Sequence, residues 1–509
     1  MVAAAASGLV AAAAGLGAGE AAAAAVRPEA SPIVVVANRF ILATPEWLKQ
    51  LAIRNFGTDD KLALKLGIYL AIAGLAAVIG WRAAHRLAEG LIGLGLFAAI
   101  GVFCALTTHA HKVSDVIPVI VAALVAALVL TVLVDALTGA NHFRREPAEA
   151  GEGTDRRRFL VGGAAGAGLA AAAGFGGRAV QHQRFDAARS RAKVVLPPAT
   201  GTSAVLPAGA DLGRSPAPFQ TPNGGFYRID TAFVTPQLTA DSWRLKIHGM
   251  VDNPFELTFA DLLATPLVER WVTLTCVSNE VGGDLVGNAL WRGVLLAPLL
   301  RRAGVQAGAD QLVSRSVDGM TIGTPVATVM DGRDAMLALG MNGQPLPVAH
   351  GFPVRMLVPG LYGYVSACKW ITEIEVTTFE RYDAYWVQRG WLARCPIELS
   401  SRIDTPSGNK RVKVGETVVI AGVAWHQHVG IGRVEVRVDD GPWAEARLGA
   451  VPSTDTWRQW TTPWTVSGTG RHRITVRAFD TAGAAQDTSE HEPLPGASSG
   501  LHRIAVYAS

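Results

Sequence analysis

WVTLTCVSNE, residues Trp271 to Glu280, places a cysteine directly after a strand-like run, and the rest of the chain is read outward from it. The aromatic and β-branched residues before Cys276 favour an extended segment that ends at the thiol. A thiolate is a soft donor suited to soft or redox-active metals, so Cys276 is the candidate metal ligand. One cysteine does not complete a coordination sphere from protein atoms alone. The remaining donors must come with a cofactor that carries its own sulfurs. Cys104, Cys368 and Cys395 lie far apart without CxxC spacing, which implies neither a zinc ribbon nor a disulfide framework. Cys368 and Cys395 read as small buried residues rather than ligands, and their pairing stays open.

Upstream of this stretch the sequence reads as membrane. The chain has 509 residues, room for several domains, and its 50% hydrophobic content predicts spanning segments. Residues 1–25 are nearly all Ala, Gly, Val and Leu with no basic residue before them. They are read as an uncleaved helix rather than a signal peptide. TPEWLKQLAIRNF is expected to form an amphipathic surface helix capped at Thr44. Three apolar runs follow, Leu62 to Ile79, Leu87 to Leu106 and Val116 to Leu137, each long enough to cross the hydrocarbon core. TDRRRFLVGGAAGAGLAAAAGFGG supplies a fifth span, and its Arg156, Arg157, Phe159 and Leu160 match a twin-arginine export pattern. Basic residues before that span also hold it by the positive-inside rule. Both readings put everything after Gly177 outside the cytoplasmic membrane. Five spans then start inside, at odds with Arg27, Arg39, Lys49, Arg54 and Lys61 in a supposedly external loop. His109 and His111 read as a solvated loop, with His85 and His142 near span ends, so a bundle haem is not expected.

Downstream, residues 178–222 are rich in Pro, Ala, Gly and Ser and read as a linker. From Phe226 the pattern becomes α+β. SWRLKIHGMV alternates as a half-buried strand, and LTFADLLATP as a helix begun at Thr258. After residue 396 the pattern is all β: VEVRVDDGPWAEARL alternates Val434, Val436 and Val438 and turns at Asp440-Gly441, and RHRITVRAFD and LHRIAVYAS repeat the alternation. A seven-strand immunoglobulin-like sandwich is expected. His426 and His428 are not read as metal ligands, and Trp457, Trp460 and Trp464 read as packing. The net charge of +4, with both signs mixed through the C-terminal half, offers no face for nucleic acid.

TLTCVSN resembles the cysteine motif of the sulfite oxidase family of molybdenum enzymes, and the resemblance runs from about Phe226 to the C-terminus. It implies a molybdopterin dithiolene and oxo groups beside Cys276. FYRID, with Phe226, Tyr227, Arg228 and Asp230, resembles the segment that touches the pterin and faces substrate. MNGQPLPVAHGFPVRMLVP, with His350 and Arg355, and LYGYVSACKWITEIEV, with Gly363, Tyr364, Ser366 and Lys369, resemble the segments around the pterin and its phosphate. Burying a phosphate calls for charge-assisted donors, which Arg355 and Lys369 supply. Asn279 belongs to the same cofactor shell. Tyr227, Tyr364 and Arg228 are the expected substrate-positioning groups.

The chain departs from the sulfite-oxidising pattern where Asn279 is followed by Glu280, Val281, Gly282 and Gly283 rather than by basic residues. A carboxylate there repels a dianion, although Arg228 and Arg389 could restore positive potential. The resulting expectation is a membrane-anchored oxidoreductase with spans in 1–177, a linker in 178–222, a molybdopterin domain in 223–395 and an immunoglobulin-like, dimerisation-type domain in 396–509. It would act on a small molecule outside the cytoplasmic membrane, pass electrons to or from a cytochrome or quinone, and form a homodimer if its anchor allows. A sulfoxide or N-oxide reductase, and a non-catalytic binding protein with a degenerate cofactor domain, are the alternatives.

Overall fold

The computed structural model describes residues 1–45, 48, 60–108, 111–139, 156–200, 205–213 and 217–509. It divides into two compact units, Met1–Asp186 with Thr231–Gln237, and Ala187–Asp230 with Leu238–Ser509. The first contains five helices long and apolar enough to cross a membrane: Val2–Val26, Leu64–His85, Leu87–Thr107, Val113–Thr138 and Phe159–Gln181. Their outward faces carry Leu70, Ile92 and Leu124, all more than 60% exposed, as helices meant for lipid do. Small residues let the helices meet closely. A Cβ on Gly8 would lie 1.9 Å from the Ala76 carbonyl oxygen, and one on Gly80 would lie 2.4 Å from that of Ala4.

The stretch expected to form a helix after Thr44 is preceded by a helix of its own. That helix, Pro32–Ala43, is opened by Pro at its first turn. Thr44 closes it, donating its hydroxyl to the Phe40 carbonyl at 2.7 Å. Most of TPEWLKQLAIRNF lies outside the described residues, as do His109 and His142.

In the second unit the linker reading is replaced by packed structure. Ala187–Lys193 is a helix. Its Arg191 guanidinium donates to the Pro345 and Leu346 carbonyls, and Phe219 is fully buried, edge-on to Trp271 at 5.6 Å. Proline and glycine made this stretch look like a tether, but Phe219 and Ala210 are fully buried in it, although Val195 and Val205 stay exposed.

Ten strands build the middle domain: β1 (Arg244–Gly249), β2 (Phe255–Thr258), β3 (Val268–Thr275), β4 (Val286–Leu295), β5 (Gln311–Ser316), β6 (Thr321–Pro325), β7 (Met336–Met341), β8 (Gln344–Pro345), β9 (Arg355–Leu357) and β10 (Ile371–Thr377). One sheet has the order β2-β1-β10-β5-β6, the other β3-β4-β7-β8 with β9 also on β7. β1 buries Leu245 and Ile247 as its alternation requires. The helix Phe259–Ala264 begins with a capping box, Thr258 accepting from the Asp261 N–H and Asp261 from the Thr258 N–H.

The C-terminal domain is a sandwich of β11 (Ser400–Thr405), β12 (Arg411–Val412), β13 (Thr417–Trp425), β14 (Ile431–Val438), β15 (Ala444–Glu445), β16 (Arg447–Leu448), β17 (Arg458–Thr465), β18 (Gly470–Asp480) and β19 (Arg503–Ala508). Its sheets run β11-β13-β17-β16 and β12-β19-β18-β14-β15. Of these nine strands, six are six residues or longer and three are two-residue pairings at the sheet edges. The hairpin at Asp440-Gly441 forms, with Asp439 taking positive φ. Trp460 is fully buried within the sandwich, while Trp457 donates its indole N–H to the Phe219 carbonyl at 3.0 Å.

Candidate functional site

β3 delivers Cys276 to the end of an otherwise buried strand, and the Cys276 N–H donates to the Leu285 carbonyl at 2.9 Å. Asn279 closes the following loop, its Oδ1 accepting from the Leu285 N–H at 2.8 Å. Cys276 alone of the four free thiols keeps accessible surface; Cys104, Cys368 and Cys395 are buried. Cys368 and Cys395 have separate partners, the Lys369 and Gly496 carbonyls, so no disulfide joins them. Burial pushes the Cys276 thiol up, and hydrogen bonding from Ser278 and the charge of Lys369 draw it back.

The remaining predicted residues gather beside this thiol. Tyr227 stacks on Phe226 at 5.3 Å. Burial raises its phenol strongly, with the Cys276 charge adding to the rise, so it stays a proton donor. Gly363 leaves room, a Cβ there lying 3.7 Å from both the Tyr227 hydroxyl and the Thr275 carbonyl oxygen. His350, edge-on to Phe226 at 5.7 Å, has Nε2 3.0 Å from the Asn223 carbonyl, which can only accept, so that nitrogen carries the proton. Burial and the neighbouring Arg355 push His350 down to about 4.

Arg355 decides what the pocket is for. It is 6% exposed, its Nε has no partner, and Nη1 reaches only the His350 carbonyl at 3.3 Å. Its guanidinium lies 5.0 Å over the Trp291 ring, and no carboxylate pairs with it among the described residues. Burial lowers it to about 10. A buried cation without an anion is costly; an anionic ligand group would relieve that cost. The residues gathered here therefore suit a cofactor that brings an anionic group such as a phosphate.

Other predicted residues take different roles. Lys369 is paired with Asp230 at 3.0 Å and lies 4.7 Å over the Trp370 ring, so its charge is already answered. Arg228 is largely exposed, 3.7 Å from the same Asp230. The Tyr364 hydroxyl donates to the Leu392 carbonyl at 2.7 Å, and Ser366 spends its proton on the Leu361 and Tyr362 carbonyls. Arg389 lies against Tyr385, 3.6 Å over its ring, rather than restoring charge near Cys276. His426 and His428 face separate carboxylates, Asp480 and Asp455. Sequence reasoning missed Trp291, the one aromatic residue of β4, fully buried in that strand. It also missed Tyr362, 3% exposed, which sits two residues before Tyr364 in the same LYGY run and feels the Cys276 charge.

Comparison with known proteins agrees with this geometry. Residues 232–386 match the oxidoreductase molybdopterin binding domain, and residues 400–476 match a bacterial Ig domain. The chain is 32% identical over 182 residues to the uncharacterized oxidoreductase YuiH of Bacillus subtilis, covering 36% of this chain and 88% of that protein. It is 31% identical over 345 residues to human mitochondrial sulfite oxidase, covering 57% of this chain and 62% of the other.

The chain belongs to the sulfite oxidase family of molybdopterin oxidoreductases.

Among solved structures, the sulfane dehydrogenase SoxCD of Paracoccus pantotrophus matches with TM-score 0.49 and 25% identity, over 56% of this chain and 80% of that one. The chain spans 49% of the rat sulfite oxidase and 62% of the human one. Cys276, His350, Arg355 and Lys369 fall inside the matched molybdopterin segment, while Phe226 to Asp230 precede it. As a family oxidoreductase, the chain has its candidate ligand cysteine in place, and the non-catalytic alternative falls away.

Proposed function

We propose that this protein is a membrane-anchored molybdenum oxidoreductase that transfers an oxygen atom, with two electrons, to or from a small substrate outside the cytoplasmic membrane. The observation that carries it is that a half-buried cysteine, Cys276, and a buried guanidinium with no carboxylate partner among the described residues, Arg355, lie on either side of the Tyr227 phenol. When bound, the molybdenum cofactor supplies the two-electron chemistry. The chain's own residues do the rest. Cys276 supplies the thiolate ligand, and Arg355 answers the phosphate. Tyr227, held protonated by burial, would donate a hydrogen bond toward an oxygen of the substrate. Phe226, Trp291 and His350 wall the pocket against water, with Arg228, Asp230 and Lys369 at its polar margin and the Gly363 to Ser366 turn, including Tyr364, closing it.

Glu280 is solvent-exposed, and with Thr275 and Asn279 it lines a small cavity beside the cysteine loop. A carboxylate there disfavours a dianion and favours a neutral sulfoxide, N-oxide or sulfur compound. The electron partner is a cytochrome or quinone, and a homodimer through the C-terminal domain accords with the dimerisation-type resemblance.

The test is elemental analysis of membrane-purified protein. About one molybdenum per chain, lost in Cys276→Ala, supports the reading. No molybdenum in matured wild-type protein ends it. Reduction by sulfite against oxidation by sulfoxides and N-oxides then assigns direction.

A further inference from the structure

The sheet order leaves β3 at an edge, with only β4 beside it. Its other edge is closed by the C-terminal domain rather than by another strand. The Thr273 N–H donates to the Asp455 carbonyl at 2.9 Å, and the Trp457 N–H donates to Thr273 Oγ1 at 2.7 Å. Gln427, in the loop between β13 and β14, donates from Nε2 to the Thr273 carbonyl at 3.1 Å and to Thr275 Oγ1 at 3.0 Å. Thr275 immediately precedes Cys276. Thr273, Thr275 and Gln427 are each no more than 2% exposed, so water does not replace these bonds if they are lost.

The amide orientation follows from chemistry. A carbonyl oxygen only accepts, so the Gln427 group facing Thr273 is NH2 and not oxygen. Gln427 Oε1 is then left buried without a donor among the described residues. Apolar side chains of similar size would avoid that cost; what they cannot provide is two donations to the strand that carries the cysteine.

We infer that Gln427 is a positioning residue for Cys276, through which the immunoglobulin-like domain sets the direction of the thiol. The inference rests on Cys276 being the metal ligand. The residue before the cysteine is held from the C-terminal domain by Gln427, and the cysteine's own N–H is held within the middle domain by Leu285. The thiol's direction is thereby fixed from two sides, as a ligand requires if the metal's geometry is not to wander.

The experiment uses full-length protein from membranes of a host that cannot make the cofactor. The rate of Cys276 alkylation by iodoacetamide is read by peptide mass spectrometry. Gln427→Leu and Gln427→Glu remove both donations, Thr275→Val removes one acceptor, and Trp460→Phe perturbs the sandwich core as a stability control. The two Gln427 variants and Thr275→Val are expected to change the Cys276 rate at least about fivefold, within what buried hydrogen bonds are worth, while Trp460→Phe lowers Tm and leaves the rate alone. In cofactor-loaded protein the thiolate-to-metal absorption is expected to move in the same three variants only. Wild-type rates in Gln427→Leu and Thr275→Val overturn the inference, as does an equal change in Trp460→Phe. If Gln427→Leu does not fold, Thr275→Val decides. Loss of the molybdenum reading shows separately, as metal-free wild-type protein, because the thiol rate is measured without cofactor.

Discussion

Among the described residues, Arg355 holds a positive charge out of water against a carbonyl and an aromatic face, with no carboxylate paired to it. Removing it exchanges a desolvated ion for packing. Arg355→Met is therefore expected to leave cofactor-free protein as stable as wild type or more stable, by about 1–3 kcal/mol, while bound molybdenum falls tenfold or more; melting and metal content measure the two. His350 makes a pH prediction. Its folded value of about 4 lies below its ordinary 6.5, so the unfolded chain takes up the proton first. Its stabilising contribution is complete above pH 6.5 and is lost as pH falls toward 4, at most about 3 kcal/mol. The denaturation midpoint of cofactor-free protein should fall between pH 7 and pH 5, less steeply in His350→Gln. A bound phosphate favours the imidazolium and should flatten the slope too. At this scale Cys276 stood out in the sequence as a thiol directly after a strand-like run, whereas Arg355 was pointed to only through the family resemblance, since an Arg in such a strand is more often a surface charge. Sequence reasoning misplaced Tyr364 and gave Lys369 too free a role, because hydroxyl partners such as the Leu392 carbonyl and ion pairs such as Asp230 depend on long-range folding.

Among the elements, the turn from the Val348–His350 helix into β9 controls the pocket. Gly351 there has φ +113, and a Cβ would stand 3.0 Å from that of Arg355 and 3.3 Å from the Lys369 Cα. Gly351→Ala is expected to cost about 1–3 kcal/mol through backbone strain and to lower cofactor occupancy by moving Arg355; a Tm series with metal analysis checks it. Elements whose signals are local were legible: the alternation of β1, the Thr258 box, the strand into Cys276 and the Asp440-Gly441 hairpin. Pro32–Ala43 was not, because attention to Thr44 as a start hid its use as a stop. Residues 187–222 were not, because Pro-rich segments without a period still bury Phe219 when a neighbouring sheet offers a surface. Gln427 was invisible for a similar reason. Nothing in AWHQHV announces that its amide reaches a strand some 150 residues earlier.

For the molecule as a whole, the direction in which the spans run turns on the basic residues near their ends, and the helical unit gives two of the five cations in the stretch after the first span local partners. With the first span starting inside, Arg27 falls at the outer ends of the helices, where positive charge is disfavoured. There its Nε donates to Asp115 Oδ1 at 2.9 Å, and a second guanidinium nitrogen pairs with Oδ2. Arg39 lies 5.8 Å over the Phe103 ring, near the end of its own span. Two of the five offending cations are thus engaged locally, whereas at the opposite ends Arg82 and Arg86 both pair with Glu89, basic residues that would face inside if the first span starts inside. Arg157, exposed at the start of the last helix, adds to that side. The arrangement predicts that Arg86→Cys reacts with a membrane-impermeant maleimide only after permeabilisation, while Ser489→Cys, exposed in the C-terminal domain, reacts in spheroplasts. The reverse pattern would put the cofactor domain in the cytoplasm and leave the Arg156–Arg157 pair as a helix anchor without an export role. Arg27→Ala should leave the orientation unchanged, since it removes a neutralised charge. A Asp115→Asn substitution unmasks Arg27 on the outer side, and the labelled fraction of Ser489→Cys should then fall.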